Sequence, residues 1–527
     1  MPKPKIEFPD RFNVVEPLVD SHLRQGRADK PAILCGDEVV TYRQLYECIN
    51  RAGNLLRGLG VRMEERVAIL LPDSPECVCA FLGAIKLGAV AVPLNTNLLS
   101  EDYEYLLNDC RARVLIVHSS LLNKIREVRS MLRYLEHVVV AGDPESDTLS
   151  FSELMAAASP YLPCAETRKD DAAFWLYSSG TTGSYKGTIH LQHDMIVEAE
   201  LYAKRTIGLR ESDVSFSIAK LFFAYGLGNG LYFPLYVGAT TVLLPARPLP
   251  DAVFQVLDRY EPTVFYGVPT SYAALLHAAE HNGRTSLGRV RMCISAGEPL
   301  PRPIFEKWQK RFGIEILDGI GSTEILHIFI SNRPGRAKAG STGELVEGYE
   351  ARIVDEHGND VPVGETGTLL IKGDSIAAGY WNKHEATQKT FLGEWINTHD
   401  KFRVDQDGYY WYAGRTDDMM KVSGLAVWPA DVEAILMAHP AVLEAGVAGV
   451  PDADKLIKPW AFIVLKHGYE PSDALAHELQ NFVKTHTEPH KYPRVVRFVQ
   501  ELPKTASGKI QRYKLRKLGA AESHPKT

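Results

Sequence analysis

"RVAILLPDSPECVCAFLGAIKLGAVAVPL", residues 66–94, decides the fold. Its first six residues are an apolar run of strand length. The next segment, "SPECVCAFLGAIKLG", has apolar positions at helical spacing and ends at Gly88, and "AVAVPL" is a second strand-length run. Two such strands joined by a helix form a βαβ unit, whose parallel strands need helices on their faces. Outward from it, further strand-like runs stand at 114–118, 137–142, 214–218, 240–245, 263–267, 290–297 and 314–319, mostly separated by helix-length segments. The expected fold class is therefore α/β, with a large N-terminal domain of two helix-covered sheets.

After about residue 340 the texture changes. "ARIVDEHGNDVPVGETGTLLIKG" and "DQDGYYWYAGR" read as strands joined by Gly/Asp/Asn turns, so a β-rich subdomain is expected over about 340–416. Beyond "GRTDDMMK" the elements mix again: a helix over 429–439, strands near 443–449 and 460–465, a helix near 473–485, then "VVRFV". This predicts domains of 1–416 and 417–527, the second a smaller α+β unit. A chain of 527 residues is long enough for several packed units.

A net charge of -6 argues against nucleic-acid or anionic-membrane binding, since both call for a basic excess. Residues 1–12 lack the apolar core of a signal peptide. The apolar stretches near 67–94 and 231–245 are broken by Asp73, Glu76 and Lys86, or by Pro234 and Gly238, so neither reads as a membrane span. Seven cysteines without CxxC or Cys/His spacing argue against a disulfide framework or zinc site and for a cytoplasmic location.

"SSGTTGSYKG" (178–187) follows the apolar run Phe174-Trp175-Leu176. Glycines let backbone N–H groups approach a ligand, hydroxyls donate to anions, and Lys186 supplies a cation, so the loop suits polyphosphate. Taken alone, a solvent-exposed linker is its plainer reading. It does not fit the G-x-x-x-x-G-K-[ST] spacing of P-loop nucleotidases.

With this loop, "SAGEPL" (295–300), "DGIGSTE" (318–324), "TGELVEG" (342–348), "THD" (398–400), "GRTDDMMKVSG" (414–424) and "PKTASGKIQR" (503–512) occur in the order and spacing of the acyl-adenylating superfamily. The chain resembles that superfamily over residues 12–518, and "LFFAYGLGNGLYFPLYVGATTVLLP" (221–245) with "GIGSTEILHIFISN" (319–332) resembles its benzoate-CoA ligase branch.

The resemblance implies an AMP-forming aryl-CoA ligase using ATP, Mg²⁺ and coenzyme A, whose acid is benzoate or a small substituted benzoate such as 2-aminobenzoate or hydroxybenzoate. It implies ATP contacts from Ser178, Ser179, Gly180, Thr181, Thr182 and Gly183, from Ser295, Ala296, Gly297 and Glu298, and from Asp318, Gly319, Ile320, Gly321, Ser322 and Thr323. Asp400 and Arg415 would hold the ribose. The catalytic set implied is Lys509, Lys186, Thr323 and Glu324, with Glu324 the metal ligand. Phe223, Ala224, Tyr225, Gly226, Gly321, His327 and Ile328 would form the acid pocket, with His327 and Tyr225 available to hydrogen-bond a ring substituent. Lys421, Ser423 and Gly424 would line the CoA channel. Asp417 would be the hinge of a mobile C-terminal domain that brings Lys509 to the site.

Three positions depart from the superfamily pattern: Ser184-Tyr185 stands for Arg-Pro, Ile320 for a Tyr, and His399 for a Gly. Two other readings stay open, an enzyme loading an aryl acid onto a carrier protein and a non-catalytic nucleotide or acyl-AMP sensor. The expected partners are the small aromatic acid, ATP and CoA, without nucleic acid or membrane, and with room for a homodimer.

Overall fold

The computed structural model describes residue 4 and residues 6–179, 185–415, 418, 420–422, 425–452, 456–504 and 510–523. The βαβ unit is present: strands Arg66–Leu70 and Val90–Pro93 lie parallel, joined by the helix Pro75–Lys86. Ser74 starts that helix by accepting from the Cys77 N–H at 3.3 Å, and Pro75 fills its first position, where a missing N–H costs nothing. Gly88 ends it at φ +85°, a left-handed conformation natural to glycine.

The helix packs against Tyr42–Gly58 through small residues. A Cβ on Gly83 would lie 2.7 Å from Ala52 Cβ and 2.9 Å from Gly53 N, so only glycine permits this approach. Cys48 and Cys79 form a disulfide between the same helices, with Cα atoms 5.7 Å apart. This corrects the cysteine expectation in part: a spacing of 31 residues carries no local pattern, and the helix crossing creates the pair.

The unit belongs to an eight-stranded sheet ordered Gly379–Tyr380, Tyr185–Leu191, Ala172–Ser179, Val90–Pro93, Arg66–Leu70, Val114–His118, His137–Ala141, Leu149–Ser150. A nine-stranded sheet runs Glu344–Leu345, Ile328–Ser331, Ile316–Gly321, Met292–Ser295, Val264–Gly267, Val214–Ser217, Thr240–Val242, Pro31–Cys35, Glu38–Thr41. In it Val264–Gly267, Met292–Ser295 and Ile316–Gly321 are parallel neighbours, so Gly267, Ser295 and Asp318 come into register at one end. Ligands of open α/β sheets bind at such carboxyl ends.

Strands Glu350–Val354, Gly367–Lys372, Trp395–Val404, Phe391–Leu392 and Tyr410–Arg415 form the β-rich part, which also holds the short helix His384–Thr390. Among the later residues, Val442–Pro451, Ile457–Leu465 and Val495–Phe498 form a three-stranded sheet covered by the helices Pro429–Ala438 and Asp473–His486. No helix among the described residues is long and apolar enough to cross a membrane.

Candidate active site

The strands that flank the glycine-rich stretch pair antiparallel, with Ser178 opposite Lys186 and Tyr177 opposite Gly187. Tyr185, one of the departures, anchors the hairpin: its hydroxyl donates to Asp102 at 3.0 Å, and Tyr177 donates to Asp109 at 2.6 Å. Both acids lie on the helix Ser100–Cys110. The Lys186 ammonium stands 5.0 Å from the centre of the Tyr380 ring, a cation–π distance.

At the end of Ile316–Gly321 the chain turns through Thr323–Ile325 and reverses at Leu326, φ +78°. Gly321 must be glycine here, because a Cβ would lie 2.3 Å from the His327 carbonyl oxygen. The turn is held from two sides. His190 Nε2 donates to the Thr323 carbonyl at 2.8 Å, and Tyr380 donates to Glu324 Oε1 at 2.6 Å. His190 in turn stacks on Phe174, centroids 4.9 Å apart, and its Nδ1 faces Asp194 at 2.8 Å.

Asp318 is buried, and its carboxylate accepts from Leu300 N at 3.3 Å, tying the strand end to segment 295–300. Burial pushes its carboxyl up to about 8. Ser295 and Ala296 are buried at the neighbouring strand end, and Gly297 adopts φ +93° beside the half-buried Glu298. Ile320 pairs with Ile330 across the ladder and packs on the core, so the aliphatic residue fits its position. Gly319 and Ser322 flank it on the same turn.

The helix Ala224–Leu227, preceded by Phe223, lies against His327, which leads into the strand Ile328–Ser331. His327 is 2 % exposed and packs against Phe233, Tyr202 and Tyr225 with centroids 4.4, 5.5 and 5.5 Å away. Its Nε2 faces the Tyr225 carbonyl at 3.2 Å, so that nitrogen must carry the proton and Nδ1, which has no hydrogen-bond partner, is an acceptor. Burial pushes the imidazole down to about 3, keeping it neutral. Tyr225 does not share the expected role toward a ring substituent: its hydroxyl donates to the carbonyls of Gly267, at 3.1 Å, and Ile294, at 3.2 Å. Its ring remains a wall. Gly226 lies within the helix, where a Cβ would be 2.1 Å from the Lys220 carbonyl oxygen.

Asp400 sits opposite Arg415 in the strand pair Trp395–Val404 and Tyr410–Arg415, with Arg415 Nη1 3.4 Å from Asp400 Oδ1. His399 has φ +59°, which explains why glycine suits this position. The left-handed turn is held by the Asn397 side chain, which accepts from the His399 N–H at 2.9 Å, and the imidazole points to the Thr390 hydroxyl at 3.4 Å.

Gly180, Thr181, Thr182, Gly183, Asp417, Ser423, Gly424 and Lys509 lie outside the described residues, as do the side chains of Ser179 and Lys421. Just past Lys509, Arg512 bridges Glu433, at 2.7 and 2.9 Å, and Asp418, at 3.2 Å.

Sequence reasoning missed His190, Asp194, Glu198, Gly228 and Tyr380. The pair His190/Asp194 has an i, i+4 spacing in "HLQHD" that could have flagged it. Glu198 is fully buried, accepts from Tyr349 at 2.7 Å and Ser375 at 3.1 Å, and is pushed up to about 8 by burial. Gly228 makes room for His327, since a Cβ there would stand 2.5 Å from the imidazole Cδ2.

The described residues thus give a carboxylate on a conformationally fixed turn, an acid–guanidinium pair and an aromatic cluster around His327. A family model for AMP-binding enzymes matches residues 20–381, and one for the AMP-binding enzyme C-terminal domain matches residues 431–509. The chain belongs to the AMP-binding enzyme family. It is 50% identical over 515 residues to benzoate–CoA ligase of Thauera aromatica, covering 97% of each chain, and 45% identical to the 4-hydroxybenzoate–CoA/benzoate–CoA ligase of Rhodopseudomonas palustris, covering 96% of this chain and 94% of the relative. Among solved structures, an anthranilate CoA ligase in complex with anthranoyl-AMP superposes with TM-score 0.94 at 45% identity, covering 98% of this chain and 99% of that one. A benzoate CoA ligase from Burkholderia xenovorans LB400 gives 0.88 at 47%, covering 96% and 100%. The expected fold class, with its helix-covered sheets and smaller C-terminal part, holds.

Proposed function

We propose that this chain is an ATP-dependent, AMP-forming aryl-CoA ligase that converts benzoate or a small substituted benzoate to its CoA thioester through an aryl-adenylate, releasing pyrophosphate. One observation carries the proposal: a neutral, buried His327 in an aromatic pocket adjoins, through Gly321, the turn bearing Thr323 and Glu324. A flat apolar acid fits that pocket. The unpartnered Nδ1 acceptor favours a ring carrying a hydroxyl or amino donor, while the apolar aromatic walls also suit benzoate itself.

In the adenylating half-reaction the acid carboxylate attacks the α-phosphate, and the chain's work is to orient the two anions and offset their charge. Lys186 and the hairpin tip hold the phosphates, Thr323 contacts them, Asp400 with Arg415 holds the ribose, and residues 295–298 flank the adenine. Glu324 suits Mg²⁺ as a hard carboxylate oxygen donor held in a fixed turn. No group of three His, Cys, Asp or Glu among the described residues forms a closed metal site, so one carboxylate with substrate phosphates fits best. When bound, the cation offsets the charge of the polyphosphate. In this reading Lys509 bridges carboxylate and α-phosphate as a point charge.

Within the same proposal the domains meet at 416/417, and rotation at Asp417 exchanges Lys509 for the Lys421, Ser423 and Gly424 loop that admits CoA. The enzyme works in the cytoplasm, with room for a homodimer. The test is pyrophosphate release with ATP and Mg²⁺ across benzoate, 2-aminobenzoate, hydroxybenzoates and a medium-chain fatty acid, each with and without CoA. Release confined to aromatic acids, with aryl-CoA formed when CoA is present, is the expected result; release with the fatty acid alone overturns it.

A further inference from the structure

We propose that Tyr380 is a positioning residue for adenylation, holding the Glu324 carboxylate and the Lys186 ammonium in one arrangement before ATP binds; this rests on the roles of Glu324 and Lys186 given above. Tyr380 is 7 % exposed and lies on the short strand Gly379–Tyr380, which pairs with the strand Tyr185–Leu191, Tyr380 opposite Thr188. The β-rich part of the chain thus places one side chain between two groups that arrive from different sheets. Its hydroxyl donates to Glu324 Oε1 at 2.6 Å, and its ring face lies 5.0 Å from Lys186 Nζ. One residue therefore fixes an anion by a charge-assisted hydrogen bond and a cation by its π face. The backbone of the same segment adds a third hold, since Ala377 N donates to the Glu324 carbonyl at 2.9 Å.

The ring is itself held. Phe391 meets it edge-on, centroids 5.3 Å apart.

The test compares Tyr380→Phe and Glu324→Gln with wild type. Mn²⁺ binding is measured by electron paramagnetic resonance in the presence of α,β-methylene-ATP, alongside steady-state kinetics and melting of the ligand-free protein. Tyr380→Phe keeps the ring and is expected to keep the melting temperature, to weaken Mn²⁺ binding about 10-fold, and to lower kcat with KM for the aromatic acid unchanged. Tyr380→Phe added to Glu324→Gln costs no further Mn²⁺ affinity. Wild-type binding and turnover by Tyr380→Phe while Glu324→Gln is impaired overturns the role of Tyr380. Unimpaired binding by Glu324→Gln overturns instead the reading of Glu324, and the proposal with it.

Discussion

His190 donates from Nε2 to the backbone carbonyl of Thr323 across 2.8 Å, joining the strand Tyr185–Leu191 to the turn Thr323–Ile325. With Asp194 at its other nitrogen, the imidazole is pinned at both ends. The contact constrains backbone, so its loss should move Thr323 and Glu324 together. His190→Ala is expected to lower kcat about 10- to 100-fold with little change in KM for the aromatic acid, and His190→Gln, which keeps an N–H donor, to recover part of it. Equal pyrophosphate release by all three proteins would contradict this.

Gly228→Ala tests the aromatic pocket. The added methyl would meet His327 Cδ2 at 2.5 Å and Nε2 at 2.7 Å, and the imidazole must shift. The expected outcome is a rise of about 10-fold in KM for the aromatic acid, with KM for ATP within about twofold. A matching rise for ATP would mean that the site deforms as a whole.

Glu198 should make stability fall as pH rises. Its carboxyl is raised to about 8 in the fold from an ordinary 4.5, so between those values the folded chain holds a proton that the unfolded chain has released. The stabilisation is complete below about 4.5 and is lost through about 8. Asp318, raised to about 8 by the same cause, adds to the slope. Glu198→Gln has no proton to lose, and its melting temperature should fall less steeply than wild type between pH 6 and pH 9. Parallel curves would show that the folded chain holds no extra proton on Glu198 over this range.

Gly83→Ala should destabilise the chain without touching the site. Its Cβ would press Ala52 at 2.7 Å and the Gly53 backbone at 2.9 Å, and backbone cannot rotate away. Overpacking of this kind costs about 1–3 kcal/mol, readable as a lower urea midpoint. KM values should stay at wild-type level.

The strands were legible because buried parallel strands are short apolar runs with little else in them. "VLIVH" reads as a strand and is the strand Val114–His118. Loop motifs were legible for a different reason: small, charged and hydroxylated residues in unusual combinations have few packing explanations. Tyr380, Glu198 and the pair Cys48–Cys79 escaped because their meaning comes from partners far along the chain. In "AAGYWN" the tyrosine is unremarkable until strand pairing brings it against Lys186. His399 looked like a defect beside Asp400, and its left-handed backbone with the Asn397 bond accounts for it.

The pairing of Gly379–Tyr380 with Tyr185–Leu191 also bears on how the chain is made. Until the ribosome has released residue 380, the hairpin strand presents a bare row of N–H and C=O groups, open to pairing with any neighbouring chain. The last strand of the eight-stranded sheet thus arrives late in synthesis, and truncation before residue 379 should yield aggregates rather than a smaller folded enzyme.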